Sequence, residues 1–252
     1  RRHDESWLDD GRGCHQRVVA VQHMALVWGL LFISPVLGLH YDYIEIGVAD
    51  FDTLIVQMRG TGARGLSVEP VSYFLSRLPH QRPGRRKVQA ALGSRDGWAE
   101  MYSVRSELVE PMCGLPRDTD PVCLPWWFKS TSSLHRPSAL VETHIGKDRV
   151  SAVQEVRRVR TLTFATLLST FNVTSLFYLK IDTEGFDVQI LRQVLEAGWA
   201  TGMWPERMQF ERNLLTDESG LADIFNNLTA VFSIWQGLGD DNVHCTRLRD
   251  LA

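Results

Sequence analysis

The chain has 252 residues, of which 44% are hydrophobic, with a formal net charge of -3 and an isoelectric point near 6.3. That length can bury the core of one α/β domain carrying an insertion or a small appendage. The charge balance excludes the broad basic field of a nucleic-acid binder, so no nucleic-acid partner is expected.

The four cysteines (Cys14, Cys113, Cys123 and Cys245) contain no Cys-x-x-Cys pair and no zinc spacing. Cys113 and Cys123 share a proline-rich stretch and could be bridged in an oxidising compartment, with free thiols as the other reading. A first residue of Arg1 marks a fragment, a processed form or a doubtful translation start. Val18 to Leu39 is mostly apolar, and His23 is its one ionisable residue. Such a stretch could span a bilayer, which needs ~20 residues. It could also hold a signal peptide starting at Met24, or an amphipathic helix packed on the domain. Residues 1–40 are therefore read as an N-terminal segment with possible membrane association through Val18–Leu39. A secretory or membrane location is favoured over a cytoplasmic one. Two sequons, at Asn172 and Asn227, are compatible with a lumenal location.

From Tyr41 the pattern alternates strand and helix. Tyr43–Gly47 is a first strand, and Asp52 or Thr53 can cap a helix through Met58. Leu66–Glu69 is a second strand, and Tyr73–Leu78 a short helix before Pro79. Lys87–Leu92 reads as a third strand that turns through Gly93–Gly97 into Ala99–Val104, a hairpin-like edge. Residues 105–150 carry five prolines around Trp126-Trp127-Phe128 and read as an insertion over the site. The run Arg157-Arg158-Val159-Arg160 reads as a solvated strand edge. Thr161 or Thr163 caps a helix through Leu168, and an apolar strand from Leu176 runs into Asp182-Thr183-Glu184-Gly185. Arg207–Glu211 makes a fifth strand, Leu221–Leu228 a helix, and Val231–Ile234 and Val243–Thr246 the closing strands. Residues 41–252 thus form an α/β domain with a doubly wound, mostly parallel sheet and helices on both faces.

In such sheets ligands bind beyond the carboxyl ends of the strands. Glu45 with Gly47, then Glu69, then Asp182 with Glu184, fall at three strand ends. Glu69 follows Gly47 by 22 positions, near the ~20 at which an acidic residue meets a ribose in dinucleotide folds. The first loop, Gly47-Val48-Ala49-Asp50-Phe51-Asp52, has one glycine and two carboxylates where a pyrophosphate would rest. Those charges repel a phosphate bridge and favour a cation, which points to S-adenosylmethionine over a nicotinamide or flavin dinucleotide.

The blocks Ile44-Glu45-Ile46-Gly47, Ser67-Val68-Glu69-Pro70, Ala90 to Gly97, Thr161-Leu162 and Leu179 to Gly185 together resemble the FkbM-type methyltransferases. The likeness runs from about Tyr41 to Glu211. It implies a class I, Rossmann-like methyltransferase fold, S-adenosylmethionine as donor, and an oxygen on a carbohydrate or small natural product as acceptor. By position, Glu45, Gly47, Asp50 and Glu69 would hold the donor, and Ser94 would flank its adenine. Asp182 and Glu184 would face the transferred methyl as catalytic residues. The chain departs from the family at Asp50-Phe51, where Asn and a second glycine are usual, and at Thr163-Phe164. The Trp- and Pro-rich insertion lies outside the minimal pattern.

Each residue also has a plainer reading. Glu69 could pair with Arg64 or Arg77, and Glu184 could simply complement a helix dipole. Glu211 could reach the acceptor or pair with Arg207 or Arg212, and His135 and His144 are loop histidines that could act as bases. Asp182, Glu184 and Asp187 could together bind a divalent metal, but their spacing matches no standard loop, so no metal site is assigned. The alternatives to a methyltransferase are a non-catalytic binding module on the same fold and a nicotinamide oxidoreductase.

Overall fold

The computed structural model describes residues 38–49, 53–79, 82–109, 128, 131–135, 142, 146–213 and 215–248. The first strand, β1 (Leu39–Ile46), opens a seven-stranded sheet with β2 (Gly65–Val68), β3 (Arg85–Val88), β7 (Val173–Ile181), β8 (Pro205–Glu211), β9 (Phe232–Gln236) and β10 (Asn242–Arg247). Their order is β3-β2-β1-β7-β8-β10-β9. The first five are parallel, and β10 runs antiparallel to both of its neighbours. A second sheet holds β4 (Ala91–Leu92), β5 (Gly97–Val104) and β6 (Gln154–Leu162) in the order β4-β6-β5.

Alternation along β1 decides what each face of the large sheet meets. Ile44 and Ile46 point into a core with Leu66, Val68, Leu179 and Ile181. That core is closed by Phe164 and Leu167 of α3 (Phe164–Thr170), Val188 and Leu191 of α4 (Asp187–Thr201), and Leu221 and Leu228 of α5 (Glu218–Val231). Tyr43 faces the other way, against Leu54 and Ile55 of α1 (Leu54–Gln57) and Leu78, just past α2 (Ser72–Arg77). Each such side chain removed from water contributes ~1.5–3 kcal/mol, so the two clusters fix the sheet between layers of helix. Local signals agree: the Thr163 hydroxyl accepts from the Thr166 amide at the start of α3, and Asp217 does the same for Gly220 in α5. Gly202, left-handed at φ 73°, ends α4.

Three expectations need correction. The stretch expected as one strand, Lys87–Leu92, is two short strands in different sheets, β3 beside β2 and β4 beside β6. Strands β4 and β5 do not form a hairpin edge, because β6 lies between them, parallel to β4 and antiparallel to β5. The Arg157–Arg160 run is consequently the middle of that sheet instead of an edge. Val159 is buried in a second core with Met101, Phe74 and Phe128, while Arg158 and Arg160 face water, as on a sheet covered on one side.

Of the Trp- and Pro-rich stretch, Phe128 is fully buried and Ser133 bridges to Tyr102 of β5. Trp126, Trp127, Cys113 and Cys123 fall outside the described residues, as do Cys14 and the apolar stretch up to Leu37. Among the described residues no helix is long and apolar enough to cross a membrane. Cys245 is a buried free thiol that burial pushes up to about 12.

Candidate active site

Because β2, β1, β7 and β8 are parallel, their carboxyl ends come together and border a cavity of about 400 Å³. Gly47, Val48 and Ala49 after β1, Glu69 and Pro70 after β2, and Asp182, Thr183 and Glu184 after β7 line it. Ala90, Ala91, Leu92, Phe74 and Met101 add an apolar wall. The loop after β1 is wedged between its neighbours: the Gly47 amide donates to the Val68 carbonyl at 3.0 Å, and the Asp182 amide to the Ile46 carbonyl at 2.9 Å.

Glu69 organises that loop. Its Oε2 accepts from the amides of Val48 (3.2 Å) and Ala49 (3.0 Å), and its Oε1 from the amide of Val71 (2.8 Å). It is 4% exposed. Burial raises its pKa to about 7 against the pull of those three amides. An ionised carboxylate offers about four acceptor positions. Three are taken by backbone, leaving room on Oε1 for one further donor from the cavity.

Glu45 sits beneath the cavity, not on its lining. It is fully buried, accepts from the Leu54 amide at 2.9 Å, and meets Lys180 Nζ at 3.3 Å. Burial pushes it up to about 7, with the Lys180 ammonium pulling the other way. Lys180 does line the cavity, and its ammonium also stands 3.8 Å from Asp182.

The opposite end of the cavity is acidic. Oxygens of Asp182, Glu184 and Glu211 all lie within 4.8 Å of one another, a spacing at which three carboxylates could share a hard divalent ion. Burial raises Asp182, while Lys180 opposes it. Glu184 is raised well above the usual range by burial and then by Glu211, Asp182 and Asp187. Glu211 is pushed up to about 8 by burial and by Asp182 and Asp187, and its Oε2 is buried without a hydrogen-bond partner among the described residues. Asp187 is a tie inside the protein. Buried at 3% exposure, it accepts from the Thr183 hydroxyl (2.8 Å), the Thr183 amide (3.3 Å) and the Glu211 amide (3.4 Å). Glu211, in place of Asp187, therefore completes the acidic group. It is also Asp187 that opens α4, while Glu184 precedes the helix in a left-handed turn at φ 53°.

Gly47, Glu69, Asp182 and Glu184 thus come together on one cavity. Ser94 does not join them: it is exposed in its turn, and the neighbouring Ala90–Leu92 supply the wall. That turn serves α3, since Asp96 accepts from the Thr163 amide (2.7 Å) and the Thr166 hydroxyl (2.6 Å). Asp50 and His144 fall outside the described residues. His135 is exposed, its ring 5.5 Å from that of Phe186. Glu69 takes backbone amides as partners, not Arg64 or Arg77. Sequence reasoning overlooked Lys180, Gln209 and Asn242 as lining residues. The available signal was weak: a neutral amide between Met208 and Phe210 near the end of a strand that already alternates apolar and polar residues.

The model of the methyltransferase FkbM domain matches residues 40–220. No curated protein and no solved structure matches the chain. The match covers β1 to the start of α5, which supplies every lining residue except Asn242, and the chain belongs to the FkbM methyltransferase family.

Proposed function

We propose that the protein transfers a methyl group from S-adenosylmethionine to a hydroxyl of a carbohydrate or small natural product. The charge of the cavity carries this reading. Its described lining holds four carboxylates (Glu69, Asp182, Glu184 and Glu211) against the one ammonium of Lys180. Even with two of the acids protonated, that wall welcomes a sulfonium and an α-ammonium and repels a pyrophosphate. A Rossmann-like strand order with the loop of Gly47 and the acid of Glu69 side by side suits an adenosyl group. The free acceptor position on Glu69 Oε1 would take a ribose hydroxyl, and the wall of Phe74, Ala90–Leu92 and Met101 would hold the flat base.

The donor supplies a carbon already activated by its positive sulfur. The protein's part is to hold the two reactants in line, an effect able to contribute several kcal/mol, and to take the hydroxyl proton. Asp182 and Glu184 are assigned that task. Lys180 beside Asp182 favours its ionised form, so Asp182 is the better acceptor of the proton as the new carbon–oxygen bond forms and the carbon–sulfur bond breaks. Titration calorimetry with S-adenosylmethionine, S-adenosylhomocysteine and NADH tests the reading. Saturable heats from the first two and none from NADH are expected. Silence from both adenosyl compounds would overturn it.

A further inference from the structure

The acidic end of the cavity also contains two amides whose orientation is fixed from both sides. Tyr178 Oη donates to Gln209 Oε1 at 2.6 Å, Gln209 Nε2 donates to Asn242 Oδ1 at 2.7 Å, and Asn242 Nδ2 donates to Asp240 Oδ1 at 3.0 Å. Asp240 also accepts from the Asn242 amide at 2.8 Å. It is held below the usual carboxylate range by these Asn242 contacts, so it accepts and cannot donate. Asn242 must then turn its NH₂ toward Asp240 and its oxygen toward Gln209. Gln209 must in turn show its NH₂ to Asn242, leaving its oxygen for the phenol. Each NH₂ has spent one of its two hydrogens. Both residues line the cavity, and Glu211, two positions on from Gln209 along β8, and Asp182, two on from its register partner Lys180, follow on the same side.

A wall that offers an N–H beside carboxylates is complementary to a group that both accepts and donates. A hydroxyl does both. An ammonium only donates, and an ether or phosphate oxygen only accepts. We propose that Gln209, held by Tyr178 and the Asn242–Asp240 pair, is a positioning residue that orients the acceptor hydroxyl against Asp182. The inference rests on the methyltransferase reading and goes beyond it by naming the residue that recognises the acceptor. Among the other described donors at this end, Lys180 pairs with Glu45 and Asp182 and Ser133 donates to the Glu184 carbonyl at 2.8 Å, while Ser132 Oγ lines the cavity with no partner among the described residues.

The test uses the full chain saturated with S-adenosylhomocysteine. Ligand-observed NMR titration measures binding of methyl glucoside, methyl galactoside and methyl mannoside. Wild type should bind at least one of the glycosides. Gln209→Met should weaken that glycoside about tenfold, and Tyr178→Phe, which leaves the amide in place but free to turn, by about threefold. Both variants should retain wild-type affinity for S-adenosylhomocysteine, measured calorimetrically, because neither side chain adjoins Glu69. Equal glycoside affinity in wild type and Gln209→Met, or no glycoside binding to the loaded wild type, overturns the inference alone. A wild type that does not bind S-adenosylhomocysteine overturns the parent reading first.

Discussion

Gly47 stands so close to Asp182 that a Cβ on it would lie 1.7 Å from the Asp182 carbonyl oxygen. Its φ of 78° adds a second reason for glycine. The loops after β1 and β7 are therefore pressed together backbone to backbone, and the cavity's two ends meet at that contact. Gly47→Ala should separate them. The left-handed conformation alone costs ~1–2 kcal/mol, and displacement of the Asp182 backbone adds to it. Denaturant unfolding should show a lowered midpoint, and S-adenosylhomocysteine titration a weakened or lost heat. A variant with both unchanged would show that the loops are not in contact.

Glu69→Gln separates the shape of the site from its charge. The amide has one acceptor oxygen for three backbone donors, and its NH₂ must face at least one of them. Leaving a buried donor unpaired costs ~1–3 kcal/mol; with the amide oxygen kept on Val48 and Ala49, the loss falls on the Val71 amide, and the NH₂ replaces the acceptor Oε1. Affinity for S-adenosylhomocysteine should drop by one to two orders of magnitude, with a loss of thermal stability smaller than that of Gly47→Ala. Unchanged affinity would remove Glu69 from donor binding.

Much of this was legible in the chain, for a physical reason. β1, β2 and the end of β7 carry mostly apolar residues closed by an acid or a glycine, and β8 alternates Met208 and Phe210 with polar residues, so these strands could be placed together with Gly47, Glu69, Asp182 and Glu184. What a local pattern does not carry is which strands pair. Arg157–Arg160 looked like an edge because its exposed arginines resemble edge protection, yet pairing partners on either side are invisible in a local pattern. The split of β3 from β4 was likewise hidden, since Gln89-Ala90 carries no breaker. Glu45 shares the phase of Glu69 but lies two residues deeper, level with Ser67, so it sits beneath the cavity against Lys180. Ser94 was misplaced because its turn is spent on capping α3 through Asp96. Gln209 and Asn242 were overlooked because neutral amides have no distinctive spacing.

Asp182→Asn and Glu184→Gln address the chemistry. A positioned base typically contributes ~10²–10⁴-fold, so Asp182→Asn should slow transfer of labelled methyl to methyl glycosides within that range. The loss from Glu184→Gln should be smaller, because burial, reinforced by the neighbouring acids, already holds Glu184 toward its protonated form. Both should bind S-adenosylhomocysteine. Full turnover in Asp182→Asn would remove it from the mechanism.

The same acids set how stability responds to pH. Glu45, Glu69, Asp187 and Glu211 have folded-state values raised to about 7, 7, 6 and 8, while in the unfolded chain they titrate near ~4. Between these limits the folded state holds more protons, so stability falls as pH rises. It is largest below the unfolded values and lost through pH 6 to 8. Asp96, Asp217, Glu218 and Asp240 are lowered and act oppositely in acid. Thermal unfolding should therefore peak in mildly acidic buffer, with a lower midpoint at pH 8.5 than at pH 6. A midpoint that rises over that interval would show that these carboxylates are not buried together.

Lys180→Met tests how the buried acid is tolerated. Glu45 is fully buried, and its named partners are one backbone amide and this ammonium. Removing the cation from a buried pair costs ~3–5 kcal/mol if the acid stays charged. Glu45 can instead keep its proton, because losing Lys180 removes a contribution that lowers its pKa and so moves it above about 7. The penalty should therefore depend on pH: modest at pH 6, where a protonated Glu45 needs no counter-charge, and growing toward pH 8.5. Denaturant midpoints of wild type and variant at the two pH values provide the comparison. A constant difference would mean that Lys180 contributes packing and not charge to the floor of the cavity. A widening difference would identify Glu45 as the proton-holding group beneath it.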